Sequence, residues 1–233
     1  MSTCPVPARL PLREVPEPNE TLLGFLARLA ERNHLDTPLW LARLVRIPFT
    51  KFDMAASIPF DLRPFSAISG IEAPVLARMA YWPVGQGQVN FLGHAIKAEM
   101  IAVRHRRACP LCLAVSPYHQ ADWDLSFATI CLKHAVRLID QCQTCGRVLG
   151  WKSKSLTVCP CGADLRKADA KSVPQYDLYG HAYLHHLLGL RIEIAGAHEP
   201  SRAPGFPDEP ECTHGHPDHL RLKGIRAGTP TQL

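Results

Sequence analysis

Seven of the nine cysteines of this chain fall between Arg106 and Leu165, and they keep a rhythm: Cys109-x2-Cys112, Cys131-x2-His134, Cys142-x2-Cys145 and Cys159-x-Cys161. A close Cys/His pair turns two soft donors toward one point, and two such pairs brought together surround a tetrahedral Zn²⁺. The first two pairs are separated by 18 residues and the last two by 13, loop lengths that suit a zinc ribbon or a treble-clef-like turn. Consecutive pairing makes one site from Cys109, Cys112, Cys131 and His134, and a second from Cys142, Cys145, Cys159 and Cys161. An interleaved arrangement, 109/112 with 142/145 and 131/134 with 159/161, stays open. Only seven residues lie between His134 and Cys142, so the two sites should pack as one unit. Pro110 and Pro160 sit inside knuckles, and Gly146 and Gly162 follow Cys145 and Cys161, where a positive φ is often required. The alternation in "WDLSFATI" predicts a strand leading to Cys131.

Other uses of the cysteines fit less well. Disulfides need an oxidising compartment. The Pro-rich start, MSTCPVPARLPLREVPEPNE, lacks the apolar core of a signal peptide, and no apolar run reaches the eighteen or so residues of a membrane span. The expectation is a soluble protein of the bacterial cytoplasm, at the nucleoid, with no membrane partner. A thioredoxin-like pair would sit in a βαβ unit, which the pattern lacks. A catalytic zinc keeps one position open to water, whereas both ligand sets here are complete. Two structural Zn²⁺ that stabilise the fold, and no catalytic residue, are therefore expected.

The formal charge of +5 is unevenly spread: between Lys97 and Lys167 there are 11 basic and 5 acidic residues, and elsewhere 15 and 16. A basic surplus in one segment suggests a polyanionic partner. Seven thiolates and two Zn²⁺ would cut that surplus of six to about three, which weakens the case for a solitary DNA reader. Arg78, Arg104, Arg106, Arg107, Lys133, Arg137, Lys152 and Lys154 are the candidates for phosphate or acidic-partner contact; they would position the protein without reading bases.

Along the chain, residues 1–18 read as a Pro-rich arm. Residues 19–105 read as a helical, helix-turn-helix-like domain, 106–167 as a double zinc-ribbon module, 168–195 as a C-terminal helical segment and 196–233 as a disordered tail. The first helix is predicted to start at Asn19 as N-cap, with Leu22, Leu23, Leu26, Leu29 and Ala30 at helical spacing. A second runs from about Thr37 to Arg46, with Pro38 in its first turn. Residues 62–82 read as two short helices joined at Gly70, the outline of a helix-turn-helix in which Glu72–Tyr81 would be the recognition helix. That helix has one basic residue, Arg78, and no Asn or Gln to read a base edge, so an ordinary helical hairpin competes with it. Residues 83–90 read as a loop, Phe91–Arg104 as a helix, and Asp177–Ile194 as a last helix. The fold class expected is mainly α with small β zinc ribbons.

The stretch from Gly146 to Ser153 is not a P-loop, because its Lys does not follow the second Gly. His181, His185 and His186 share a helix but suit half-buried or exposed positions as well as ligation. Cys212, His214, His216 and His219 could grip a metal adventitiously, and Cys4 is most simply a free thiol.

The order of features carries a resemblance. "ETLLGFLARLAERN", the "SGIEAPVLARM" hairpin and "RACPLCLA…YHQADWDLSFATICLKHAVRLIDQCQTCG" are similar to the TniQ family, which includes TnsD-like target selectors of bacterial transposons. The resemblance runs from about Pro11 to about Leu165. It implies a non-catalytic adaptor that selects or marks the insertion target and recruits the transposon's AAA+ ATPase, and through it the transposase. Target DNA, a CRISPR RNA-guided complex and a second copy of the chain as a homodimer are the further partners it brings into view. The hairpin at 65–81 would be a DNA or partner surface. The alternative is a stand-alone zinc-ribbon, helix-turn-helix transcriptional regulator.

Overall fold

The computed structural model describes residues 9–47 and 57–190; Cys4 and the 196–233 segment with its Cys212/His cluster lie outside them. The described residues fall within one compact unit, Met1–Ala197. Helix α1 (Leu22–Arg32) buries Leu22, Leu23, Phe25, Leu26, Leu29 and Ala30. Its cap is Thr21, whose Oγ1 accepts from Gly24 N at 2.9 Å, two residues beyond the expected Asn19. Asn19 instead has φ 59°, and Glu20 is buried against Arg28, with Oε2 2.7 Å from Nη2. The expected helix start moves because Glu20 is needed inside as an ion-pair partner. Helix α2 (Leu39–Leu44) is shorter than the expected 37–46, with Pro38 at its N-cap.

Helices α3 (Arg63–Ser69) and α4 (Ala73–Arg78) are joined by Gly70 in the left-handed region (φ 76°), where only glycine avoids a Cβ penalty. Phe65, Ile68 and Leu76 turn inward onto the same core as α1. The proposed recognition helix spans only six residues, too short to lay along a groove as the Glu72–Tyr81 reading required.

The predicted helix over Phe91–Arg104 is not formed, and the 83–90 loop is largely strand. In their place stands a three-stranded antiparallel sheet in the order β1 (Pro83–Gly85), β2 (Gln88–Phe91), β3 (His94–Lys97). Val89 pairs with Ile96, so the buried residues Val89, Phe91 and Ile96 line one face at period two. Asn90 decides the turn: its Oδ1 accepts from Gly93 N at 3.0 Å, and its Nδ2 donates to Arg78 O and Ala80 O. The apolar spacing fitted both periods, and the Asn-x-x-Gly turn broke the tie.

Helix α5 (Pro110–Val115) and the two-stranded ribbon β4 (Ile130–Cys131)–β5 (Val136–Arg137) open the cysteine segment. The strand expected in "WDLSFATI" shrinks to β4; Ala121–Asp124 is a 3₁₀ turn that carries Trp123 into the interior. The final helix, α6 (Gln175–Leu187), is shorter than predicted and docks Leu178 against Ile130 and Leu132. The principal core runs from α1 to Ala121, Leu125, Ala128 and Trp151, so helices and cysteine segment share buried apolar side chains. Among the described residues, no helix is long and apolar enough to cross a membrane.

Candidate metal centres

The backbone gathers the ligands in consecutive sets. Cys109, Cys112, Cys131 and His134 bring their donor atoms within 4.8 Å of one another, as do Cys142, Cys145, Cys159 and Cys161; each group could hold a metal ion. In the first set, Cys109 caps α5 and its Sγ accepts from Cys112 N at 3.4 Å, so one helix start supplies two donors. The other two come from the turn between β4 and β5, which Ala135 closes at φ 51°. His134 Nδ1 lies 3.5, 3.2 and 3.6 Å from the sulfurs of Cys109, Cys112 and Cys131. The first set is thus a helix start facing a knuckle, nearer the treble-clef-like turn than the zinc ribbon that its spacing also suited.

The second set is built from two knuckles. Gly146 N donates to Cys142 O and Gly162 N to Cys159 O, each at 2.8 Å, with the glycines at φ 70° and 91°. Sulfur pairs 142/161 and 145/159 are both 3.7 Å apart, and Cys112/Cys131 3.6 Å. A tetrahedron with metal–sulfur bonds of about 2.3 Å has edges of about 3.8 Å, so both donor sets suit zinc in size and softness. The separations also exclude disulfides, whose S–S bond is about 2.05 Å.

Electrostatics favours a cation. The Cys112 thiol donates toward Cys109 and pulls its thiol down to about 2, the same contact pushes Cys112 up to about 12, and Cys131's own contacts with Cys109 and Cys112 raise it well above the ordinary range. One thiolate is welcome and further ones repel, and a divalent ion at the centre is what allows all of them to ionise. In the second set the Cys145 backbone N–H is the main influence lowering the Cys142 thiol, to about 6. The two centres differ in access: Cys109, Cys112 and Cys131 are buried, whereas Cys145 and Cys161 are exposed.

Of the basic candidates, Arg106 does not serve as a phosphate contact. Its side chain is 1% exposed and Nη1 donates to Leu156 O at 2.8 Å; burial lowers its pKa to about 10. Arg107 is half-buried and donates to the carbonyls of Ser126 and Ala128. Lys154 pairs with Asp36 at 3.0 Å. Arg78, Arg104, Lys133, Arg137 and Lys152 are exposed and come from different segments of the fold. The α6 histidines do not converge on a metal. His181 Nε2 bonds Thr129 Oγ1 and Phe127 O, His185 is buried edge-on to Phe127, and His186 is exposed.

A buried polar cluster escaped the sequence reading. Asp124, 1% exposed, accepts from Tyr81 Oη and meets His119 Nε2, both at 2.9 Å. The His119 ring is wedged edge-on between Trp123 and Trp151, at centroid distances of 5.4 and 4.7 Å. Trp151 Nε1 donates to Val103 O at 2.6 Å. Tyr81, just past the α3–α4 hairpin, is thereby tied to the chain that leads into the first metal set. The one local signal was an acidic residue between Trp123 and Leu125, both apolar.

No curated protein matches the chain. The TniQ family profile matches residues 11–138, over half of the 233 residues. The match takes in α1, the α3–α4 hairpin, the Tyr81–Asp124 cluster and all four residues of the first metal set, and it ends before Cys142. On that match the chain belongs to the TniQ family, accessory proteins of transposition.

Proposed function

We propose that this protein is a non-catalytic adaptor of transposition that selects or marks the insertion target and recruits the transposon's AAA+ ATPase. The observation that carries the reading is family membership across the helical part and the first metal set together. In this reading the two donor sets hold structural Zn²⁺ through Cys109, Cys112, Cys131 and His134, and through Cys142, Cys145, Cys159 and Cys161. Four protein donors at each centre leave no coordination position for water or substrate, which supports a structural rather than a hydrolytic metal. What each ion supplies is a cross-link: the first joins α5 to the β4–β5 turn, and the second joins the loops that carry Cys142/Cys145 and Cys159/Cys161.

The rival reading, a solitary sequence-specific DNA regulator, has less support. Helix α4 is six residues long and carries Arg78 as its one basic side chain. The basic surface of the metal region is dispersed, Arg106 is buried, and both Arg106 and Arg107 donate to backbone carbonyls. Exposed Arg104, Arg137 and Lys152 suit sequence-independent phosphate contact or an acidic partner surface. The test is capture of a transposon AAA+ ATPase, with and without DNA. Retention of the ATPase by zinc-loaded protein is the expected result. Absence of retention, with tight sequence-specific DNA binding by the chain alone, would overturn the adaptor reading in favour of the regulator.

A further inference from the structure

The two donor sets differ in how their sulfurs meet solvent. In the second set Cys145 and Cys161 are exposed, whereas Cys142 and Cys159 are buried. The sulfurs pair across that divide: Cys161 Sγ lies 3.7 Å from Cys142 Sγ, and Cys145 Sγ lies 3.7 Å from Cys159 Sγ. Each exposed sulfur therefore has a buried partner that needs a shift of about 1.7 Å to reach disulfide distance. A cavity of about 240 Å³, with Cys142, Thr144, Ala163 and Lys167 among its walls, opens beside them and admits a small oxidant. The first set has no such arrangement. Its three cysteines are buried, and its fourth donor is His134, which forms no disulfide. Around a divalent ion, four thiolates keep formally two negative charges, whereas three thiolates and a neutral imidazole keep one. The second set is thus the richer in electrons and the easier to reach, and thiolate character together with access decides which cysteines oxidise.

We infer that the second set is a peroxide-reactive thiol switch, in which Cys145 and Cys161 are oxidised first and Cys159 and Cys142 resolve them. The Cys161 thiolate attacks one oxygen of hydrogen peroxide. The O–O bond breaks, the sulfur becomes a sulfenic acid, and the other oxygen leaves as hydroxide, which a solvent proton converts to water. The Cys142 thiolate then attacks that sulfur; an S–S bond forms, and the sulfenic oxygen leaves as hydroxide and is protonated in turn. Two thiolates have given up two electrons and the peroxide has taken them. Cys145 and Cys159 repeat the sequence, and loss of the four thiolates frees the ion. The set lies beyond residue 138, where the TniQ match ends. It also fastens a neighbouring segment: Gln143 Nε2 donates to Asp169 O at 2.9 Å, and Asp169 N donates to Gln143 Oε1 at 2.7 Å. From there the chain runs along β5 to α6, so the oxidation state of the set bears on how the last helix is held. The inference rests on zinc at both centres and is independent of the adaptor reading.

The experiment uses the zinc-loaded full chain, its metal content measured first, and hydrogen peroxide in the absence of reductant. Released zinc is followed with a weak colorimetric indicator. Each cysteine is assigned by alkylation after unfolding and peptide mapping, which also separates Cys4 and Cys212. The expected result is loss of one of the two ions, with Cys142–Cys161 and Cys145–Cys159 recovered as disulfides and Cys109, Cys112 and Cys131 as free thiols. Dithiothreitol and zinc should then restore the second ion. Simultaneous loss of both ions, earlier oxidation of the first set, retention of both ions, or conversion to sulfinic acids that dithiothreitol does not reverse would each overturn the inference. A chain that holds no zinc before peroxide is added overturns the zinc reading and this inference with it, so the two failures are told apart.

Discussion

Truncation of Asp124 to alanine tests whether the buried cluster holds the helical part and the metal region together. Asp124 is 1% exposed, its two oxygens serve Tyr81 Oη and His119 Nε2 at 2.9 Å each, and Tyr81 and His119 are 1% and 0% exposed. Removing the carboxylate leaves a hydroxyl and a ring nitrogen without partners where water does not reach. Each orphan costs about 1–3 kcal/mol, and the vacated space adds about 1 kcal/mol. Relief of the carboxylate's own burial offsets part of this, so the expected loss is about 3–5 kcal/mol. For a chain of this size that lowers the melting temperature by roughly 10 °C. Tyr81→Phe removes one donor and leaves Asp124 with His119, so about 1–2 kcal/mol is expected. The double variant should be no less stable than Asp124→Ala alone, because both changes abolish the same bond. The assay is urea unfolding at saturating zinc, followed by tryptophan fluorescence, since Trp123 and Trp151 flank His119. A loss below about 1 kcal/mol for Asp124→Ala, or strict additivity in the double variant, would refute the reasoning.

Three further outcomes follow from the same geometry. A chelator should remove metal in two phases, the second centre first, because Cys145 and Cys161 are exposed and the first centre's cysteines are not; one simultaneous phase in a colorimetric release assay would contradict this. At Gly24 an added Cβ would lie 2.9 Å from His119 Cβ and 3.0 Å from Thr21 Oγ1, so Gly24→Ala should destabilise by about 1–3 kcal/mol despite alanine's better helix propensity, and a stabilised variant would show that α1 can shift. Burial holds the His185 ring down to about 4 from an ordinary 6.5. The unfolded chain therefore takes up the proton first, and the stability His185 confers is full above about pH 6.5 and lost as pH falls toward 4. Protection factors of α6 amides, with the intrinsic pH dependence of exchange divided out, should fall over that window and stay flat in His185→Leu; identical profiles would sink the assignment.

Particular residues show why some of this was legible and some was not. The knuckles were readable because a Cys-x-x-Cys turn is local: Gly146 and Gly162 bend the chain within five residues, whatever surrounds them. Helix α1 was readable for a similar reason, since Leu22, Leu26 and Leu29 repeat at 3.6 and nothing nearby competes. The 83–97 region failed because Phe91, Ala95 and Ile96 satisfy a helix and a hairpin equally, and the Asn90 side chain bonded to Gly93, Arg78 and Ala80 settled the matter. Arg106 failed as a surface charge because basic residues beside a metal site look alike in sequence. Only packing against Leu156, with Glu31 and Asp124 nearby, distinguishes it from exposed Arg104.

The amino-acid sequence alone determined the eight donor residues, their division into close pairs, the apolar stripe of α1 and the resemblance to TniQ. These properties depend on spacing along the chain and on side-chain chemistry. Tertiary structure decided which pairs share a centre, which arginines face inward, that a sheet stands beside the α3–α4 hairpin, and that Asp124 is satisfied by Tyr81 and His119. Those outcomes depend on which distant segments meet, and burial, which sets the energy of every charged group here, is a property of that meeting.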